Sequence, residues 1–212
     1  MVTIKKIKPM AIEAESFRII ENEFFHQTGK RIEDFTANQF AIIRRVIHAT
    51  GDFSFCESLM FNNGSIDAGL NAISNGKNIL IDVNMGAAGI SKSIVERHGG
   101  RVICRVSDQE VVEKAQQDGL TRSETAMALA AGDNVGIVAI GNAPTALLSC
   151  MKLIEQKVIQ PDLVIGVPVG FVNAVESKEL LSQKEYPFIT SLGRKGGSPV
   201  AAAIINAILR LL

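Results

Sequence analysis

The chain has 212 residues, 22 Lys plus Arg against 22 Asp plus Glu, three cysteines, one Tyr and no Trp. That length suits one large domain or two small ones, and a 47% apolar content excludes global disorder. A balanced charge and few aromatic residues exclude a general nucleic-acid or anionic-membrane binder, which needs a basic surplus or exposed stacking platforms.

In chain order, the opening MVTIKKIKPM carries charge but no apolar h-region, so it does not read as a signal peptide. Residues 11–27 place Ile12, Phe17, Ile20 and Phe24 among charges at near-helical spacing, and Gly29 follows as a stop. Thr36 predicts an N-cap for a helix over 36–48, with Phe40, Ile43 and Ile47 on one face and Gly51 beyond. A third helix is predicted over 65–74. Then the texture changes. Short β-branched runs at 78–82, 101–106, 135–140, 162–167 and 187–191 alternate with helical patterns at 91–98, 108–131 (broken near Gly119), 143–157, 173–183 and 198–212. Strands apolar on both faces, alternating with helices, predict an α/β fold. The expected architecture is a mainly parallel sheet of about five strands, helices on both faces, and an N-terminal helical segment. With no linker and no repeat, residues 1–212 read as a single domain. The longest late apolar run, 200–209, contains Asn206 and is too short to span a bilayer. Cys56, Cys104 and Cys150 form no CxxC pair, which fits a reducing compartment and a cytoplasmic protein.

Four loops after the predicted strands are rich in small residues: 84–89, 141–144, 166–170 and 193–198. In an open α/β sheet, ligands bind beyond the carboxyl ends of the strands. Any one loop reads equally as a tight turn; four together predict a floor of exposed backbone for a ligand. None matches GxGxxG, GxxxxGK[ST] or GxSxG, which speaks against a dinucleotide fingerprint, a P-loop or an α/β-hydrolase elbow. With three histidines and no HxxxH or Cys/His cluster, no protein metal site is expected.

His26 and His98 each sit at a predicted helix end, where a cation caps the exposed carbonyls. His48 also lies near a helix end but shares its neighbourhood with Arg44 and Arg45. Like charges have no stabilising reason to crowd one face unless an anionic ligand occupies it. His is the side chain whose unperturbed pKa, near 6.5, suits proton transfer. Both a capping and a proton-transfer role stay open for His48. Arg122, in Thr121-Arg-Ser123, and Arg194, in the Gly-rich loop 193–198, suit bidentate carboxylate binding, whereas Lys195 reads as a solvated surface charge.

These segments together resemble the precorrin-8X methylmutases of corrin biosynthesis over nearly the whole chain. The stretches that carry the likeness are Glu15-Ser-Phe-Arg-Ile-Ile20, Arg45-Val-Ile-His-Ala-Thr50, Thr121-Arg-Ser123, residues 139–147, Gly166-Val-Pro-Val-Gly170 with Glu176-Ser-Lys178, and residues 193–198. The resemblance implies a flavodoxin-like doubly wound sheet, a homodimer, and an isomerase that moves a methyl group from C-11 to C-12 of a corrin precursor, giving hydrogenobyrinate or cobyrinate without a separate cofactor. It implies that His48 is catalytic and that Ser16, Arg45 and Arg122 bind substrate. A conjugated, carboxylate-fringed tetrapyrrole suits an apolar floor, with Arg45, Arg122 and Arg194 at its rim.

One departure is visible: many members read GFVGAAESK, where this chain has Asn173 and Val175. The variant is more similar to members from cobalt-early pathways, which points to cobalt-precorrin-8 as substrate. A corrinoid carrier without turnover, with His48 as a pocket donor, is the alternative; a flavin or nucleotide module is disfavoured by the missing phosphate motif.

Overall fold

The β-branched runs assemble into one six-stranded sheet in a computed structural model that describes residues 6–212. Residues 1–5 of the segment tested for a signal peptide lie outside the described residues. The strands are β1 (Leu59–Phe61), β2 (Asn78–Ile81), β3 (Val102–Ile103), β4 (Val135–Ile140), β5 (Leu163–Gly166) and β6 (Phe188–Ser191), in the order β1-β6-β5-β4-β2-β3. β2 to β6 are mutually parallel, and β1 pairs antiparallel with β6. The five parallel strands thus run in the flavodoxin-like order that the resemblance implies, with the chain reversing its direction of travel at β2 and β4. β1 is the correction to the expected five. Three residues are too short to display a period-2 pattern, and its pairing with β6 is decided by a partner about 130 residues away.

Eleven α-helices surround the sheet among the described residues. α1 (Ile12–Thr28), α2 (Ala37–Thr50), α3 (Phe55–Ser58), α4 (Ser65–Ser74), α5 (Asn84–Gly89), α6 (Lys92–Arg97) and α11 (Ser198–Leu209) share one apolar cluster on one face. α8 (Arg122–Leu129), α9 (Pro144–Glu155) and α10 (Ala174–Ser182) share the cluster on the other, and α7 (Gln109–Asp118) packs on α8. The predicted break near Gly119 is real: Gly119 takes φ 66° as the left-handed stop of α7.

Local chemistry sets the elements that matter for function. α2 starts at the predicted Thr36, whose Oγ1 accepts from Gln39 N while Gln39 Oε1 accepts from Thr36 N, a closed capping box. It ends at Gly51, φ 67°. Phe40, Ile42, Ile43, Val46 and Ile47 are all buried because α1 and α11 cover α2 from two sides. α11 lies between α2 and the sheet, with ten of its 12 residues buried, and the small side chains of Ala201, Ala202 and Ala203 let the neighbouring helices approach closely.

The predicted ligand floor needs correcting. Residues 84–89 form the short helix α5 instead of a loop: Met85, Ala87 and Ala88 favour helix, and Gly86, a poor helix former, packs where a Cβ would stand 2.4 Å from Ile81 Cδ1. Gly86, Gly141 and Gly196, beyond β2, β4 and β6, serve packing between segments. A Cβ on Gly141 would stand 2.7 Å from Ser198 Cα, and one on Gly196 would stand 2.2 Å from the Val167 carbonyl oxygen. Their bare backbone lets the loops and the start of α11 close over the carboxyl edge of the sheet.

Candidate active site

The carboxyl ends of β2 and β4 flank the reversal point of the sheet, where a doubly wound protein normally opens its ligand crevice. Here the protein fills it. Asp82, fully buried just after β2, accepts hydrogen bonds from the backbone N–H groups of Gly141, Asn142 and Ala143 at 3.1, 2.8 and 2.9 Å. Those N–H groups lead into α9 and would otherwise present an anion-binding end. Burial pushes the Asp82 carboxyl above the ordinary carboxylate range, and the three N–H donors pull the other way. Gly197 and Ser198 lie across Gly141 and seal the crevice from above.

The groove that holds His48 lies to one side, along the seam of α2 and α11. A cavity of about 210 Å³ is lined by Arg45, His48, Ala49, Gly89, Pro199 and Ala202, with Ala203 and Asn206 beside them. Asn206 fixes its floor: Oδ1 accepts from Ser91 N at 2.9 Å, and Nδ2 donates to the Gly89 carbonyl at 2.8 Å. His48 is exposed in the last turn of α2, and its ring meets Phe17 of α1 edge-on, with centroids 5.3 Å apart. An imidazole with one apolar wall and one open side can pass a proton to a ligand, and the same position lets its cation face the free carbonyls of α2.

Arg45 lies one turn before His48 and lines a second cavity of about 220 Å³ together with Glu13, Phe17, Arg44 and Arg210. Arg45 Nη1 donates to Glu13 Oε1 at 3.0 Å, Arg44 pairs with Glu21, and both guanidiniums stand over the Phe17 ring at 5.2 and 4.3 Å. The crowding of cations read from the sequence is therefore partly answered by carboxylates on α1. Glu13 and Glu21 were missed because their partners lie on α2, more than 20 residues further along the chain. Arg210, at the end of α11, was missed for the same reason and reaches Glu13 Oε2 at 3.7 Å.

The remaining predicted residues separate. Ser16, half-buried on α1 next to Phe17, donates its hydroxyl to the Ile12 carbonyl at 2.8 Å. Arg194 is exposed on the loop after β6, with its guanidinium 5.2 Å from the Phe171 ring centroid. The same loop is tied to the end of α2. Lys195 is exposed, as expected of a surface charge, and its Nζ also donates to Asp52 Oδ2 at 2.6 Å and to Ser54 Oγ at 2.8 Å, a strut across the loop. Beneath the loop, the wholly buried Lys178 donates from Nζ to the Lys195 carbonyl at 2.8 Å, and burial pushes its ammonium down to about 8. Arg122 opens α8 in the opposite helical layer and is exposed. A single chain thus joins Arg45 to His48 and carries Arg194 on the adjoining edge, but does not bring Arg122 to them.

His26 and His98 take the helix-end positions expected of them. Asn173, the departure noted above, adopts φ 60°, the left-handed conformation that glycine and asparagine tolerate best, so the exchange preserves the turn. Among the described residues no group of three or more His, Cys, Asp or Glu side chains could hold a metal, and no helix is long and apolar enough to cross a membrane. A larger opening, about 450 Å³, lies against Ala11 and, on α1, Ala14, Glu15 and Arg18. It offers no side chain that titrates near neutrality, so chemistry favours the His48 groove.

Comparison with known proteins finds relatives over nearly the whole chain. Residues 11–211 match the family model described as precorrin-8X methylmutase. A cobalt-precorrin-8 methylmutase from Priestia megaterium is 44% identical over 95% of this chain and 88% of its own length. One from Methanocaldococcus jannaschii is 42% identical, covering 93% and 91%. The crystal structure of a precorrin-8X methylmutase from Thermus thermophilus superposes with a TM-score of 0.84 at 40% identity, covering 95% of this chain and 96% of that one.

Proposed function

The chain belongs to the precorrin-8X methylmutase family, and from that premise we propose that it is an isomerase of cobalamin biosynthesis that moves a methyl group from C-11 to C-12 of the corrin precursor. The observation that carries the reading is the shared cavity of His48 and Arg45, with the Phe17 edge on one side and Pro199, Ala202 and Ala203 on the other. Arg45 anchors a peripheral carboxylate, and the apolar wall receives the ring face. His48 delivers a proton to the macrocycle, so that the migrating methyl leaves a stabilised π-system. The product is an isomer, so a proton leaves the ring after the shift and His48 returns to its starting state. Acid catalysis of this kind is worth about 10²–10⁴-fold, and positioning supplies much of the rest.

The substrate assigned is cobalt-precorrin-8. This rests on the Asn173 and Val175 variant and on the names of the relatives from Priestia megaterium and Methanocaldococcus jannaschii. The working form is a homodimer in the cytoplasm. A cavity of about 210 Å³ is smaller than a pocket that encloses a drug-sized ligand. The exposed Phe171 and Val172 beside Arg194 offer an apolar face for a second copy, which would bring further wall, and with it Arg122, to the ring.

The test is conversion of the cobalt precursor followed by its absorbance spectrum. His48→Ala should abolish conversion while product binding stays measurable; conversion at the wild-type rate removes the acid role. Tight product binding by the wild-type protein without turnover under excess substrate would favour the carrier.

A further inference from the structure

The cavity beyond Arg45 has an unequal charge. Arg44 is committed to Glu21 and to the face of Phe17. The guanidiniums of Arg45 and Arg210 share one carboxylate, Glu13, at 3.0 and 3.7 Å. The field of His48 also reaches that carboxylate. Two guanidiniums, from α2 and the end of α11, therefore converge on a single acid from α1. The hydrogen bond from Arg45, with Arg210 and His48 behind it, holds the Glu13 carboxyl below its ordinary value against the opposing effect of burial.

For folding alone, two arginines sharing one half-exposed acid around an opening is a poor arrangement, since the second guanidinium gains little at 3.7 Å and repels the first. The same arrangement suits a second carboxylate arriving from outside, because each guanidinium offers a planar fork of donors of which few are engaged. The opening is also the right scale. About 220 Å³, walled by Phe17, Ala41, Ala207 and Leu211, takes a short acid arm and excludes a macrocycle. It adjoins the His48 cavity through Arg45, which lines both.

We propose that this cavity receives one peripheral carboxylate arm of the substrate, held by Arg45 and Arg210, and that Glu13 is the internal counter-ion which occupies those guanidiniums until the arm displaces it. The proposal rests on the corrin-precursor reading above and deepens it, by naming Arg210 as a binding residue and Glu13 as the residue that sets the stringency of carboxylate recognition. Docking the arm exchanges one carboxylate for another on the same donors. Removing Glu13 and removing Arg210 therefore act in opposite directions, which a merely structural role for either would not produce.

The experiment is an absorbance titration of the full chain with hydrogenobyrinate, and with the same corrin bearing amidated acetate arms, alongside steady-state kinetics on the cobalt precursor. Glu13→Gln should tighten the acid ligand and lower KM about three- to tenfold, the scale of one partly exposed charge-assisted hydrogen bond. Arg210→Gln should weaken both by a similar factor, and Arg210→Lys should recover part of the loss. Neither should move kcat beyond about twofold, since neither side chain meets the reacting carbons. The amidated corrin should be indifferent to Glu13→Gln. Glu13 and Arg210 are both partly exposed, and a circular dichroism melt confirms that each variant folds. Unchanged affinities in both variants overturn the proposal, as does a Glu13→Gln variant that weakens binding as Arg210→Gln does. If the wild-type protein neither binds nor converts any corrin precursor, the functional reading falls and takes the arm site with it. If conversion is intact and only these variants are silent, the arm site alone falls.

Discussion

The crevice between the carboxyl ends of β2 and β4 and the groove between α2 and α11 are built from the same parts: a helix end, glycines and an ionisable side chain. In the crevice the ionisable group is Asp82. It points inward, is wholly buried and has three backbone donors within 3.1 Å. In the groove the ionisable groups are His48 and Arg45. They sit at the rim beside a cavity, and Arg45 is held by a partner that a ligand can replace. The crevice is therefore structural and the groove is available for chemistry. Where a ligand binds in a doubly wound sheet is decided by which donors the chain has already used, not by strand order alone.

The largest expected effect comes from reopening the crevice. Asp82→Ala leaves three N–H groups without their acceptor, that of Gly141 buried and those of Asn142 and Ala143 part-buried, and should cost about 2–3 kcal/mol of stability, read from urea unfolding. Asp82→Asn, which keeps one acceptor oxygen, should lose less. Inorganic phosphate should raise the melting temperature of Asp82→Ala more than that of the wild-type protein, since the variant adds vacated backbone donors to any anion site both share. A wild-type protein stabilised equally by phosphate would break the comparison.

A middling effect tests the other buried charge on that closed edge. Lys178→Met removes an ammonium, while the Lys195 carbonyl keeps its bond from Ser191 Oγ at 3.1 Å. Near pH 7 the variant should lie within about 1 kcal/mol of wild type, because the lost desolvation penalty offsets the lost hydrogen bond. Lys178 titrates near 8 in the folded chain and at the ordinary 10.5 when unfolded. Between those values the unfolded chain holds a proton that the native one has shed. Wild-type stability should therefore gain on the variant as pH rises through that window, measured as the difference in urea midpoints.

The smallest effect lies where the two regions join, at the Lys195–Asp52 strut. The hydrogen bond from Lys195 holds Asp52 below its ordinary value. The native chain thus resists protonation that the unfolded chain accepts, so this contribution is present at neutral pH and fades as acid is added. Asp52→Asn should flatten the fall of melting temperature in acid by an amount worth less than about 1 kcal/mol, since both side chains are partly exposed. Asp52→Asn should also leave product binding in the groove within severalfold, which sharpens the separation between scaffold and site.

Much of this was legible from residues alone. Thr36 with Gln39 announces the start of α2, Gly29 and Gly51 announce helix ends, and the continuous apolar runs announce buried parallel strands, because each signal is local. Arg45 and His48 could be paired because one helical turn separates them. β1 could not be read, since three residues carry no period. Glu13 and Arg210 could not be joined to Arg45, because 32 residues separate Glu13 from Arg45 and most of the chain separates Arg210 from both. Lys195 reads correctly as a surface charge, but nothing near it in sequence reveals its partner Asp52.

The neutral balance of 22 against 22 marks the same boundary. The sequence by itself determined the α/β alternation, the ends of the helices, the family and the identity of His48 as a proton donor candidate, because propensity, capping and motif spacing act over a few residues. Only the tertiary structure decided that Asp82 fills the crevice, that Glu13 answers two arginines at once, and that Arg122 lies in the opposite layer from His48. Hydrogen bonds and ion pairs act over a few ångströms of space, and folding alone determines which distant residues come that close.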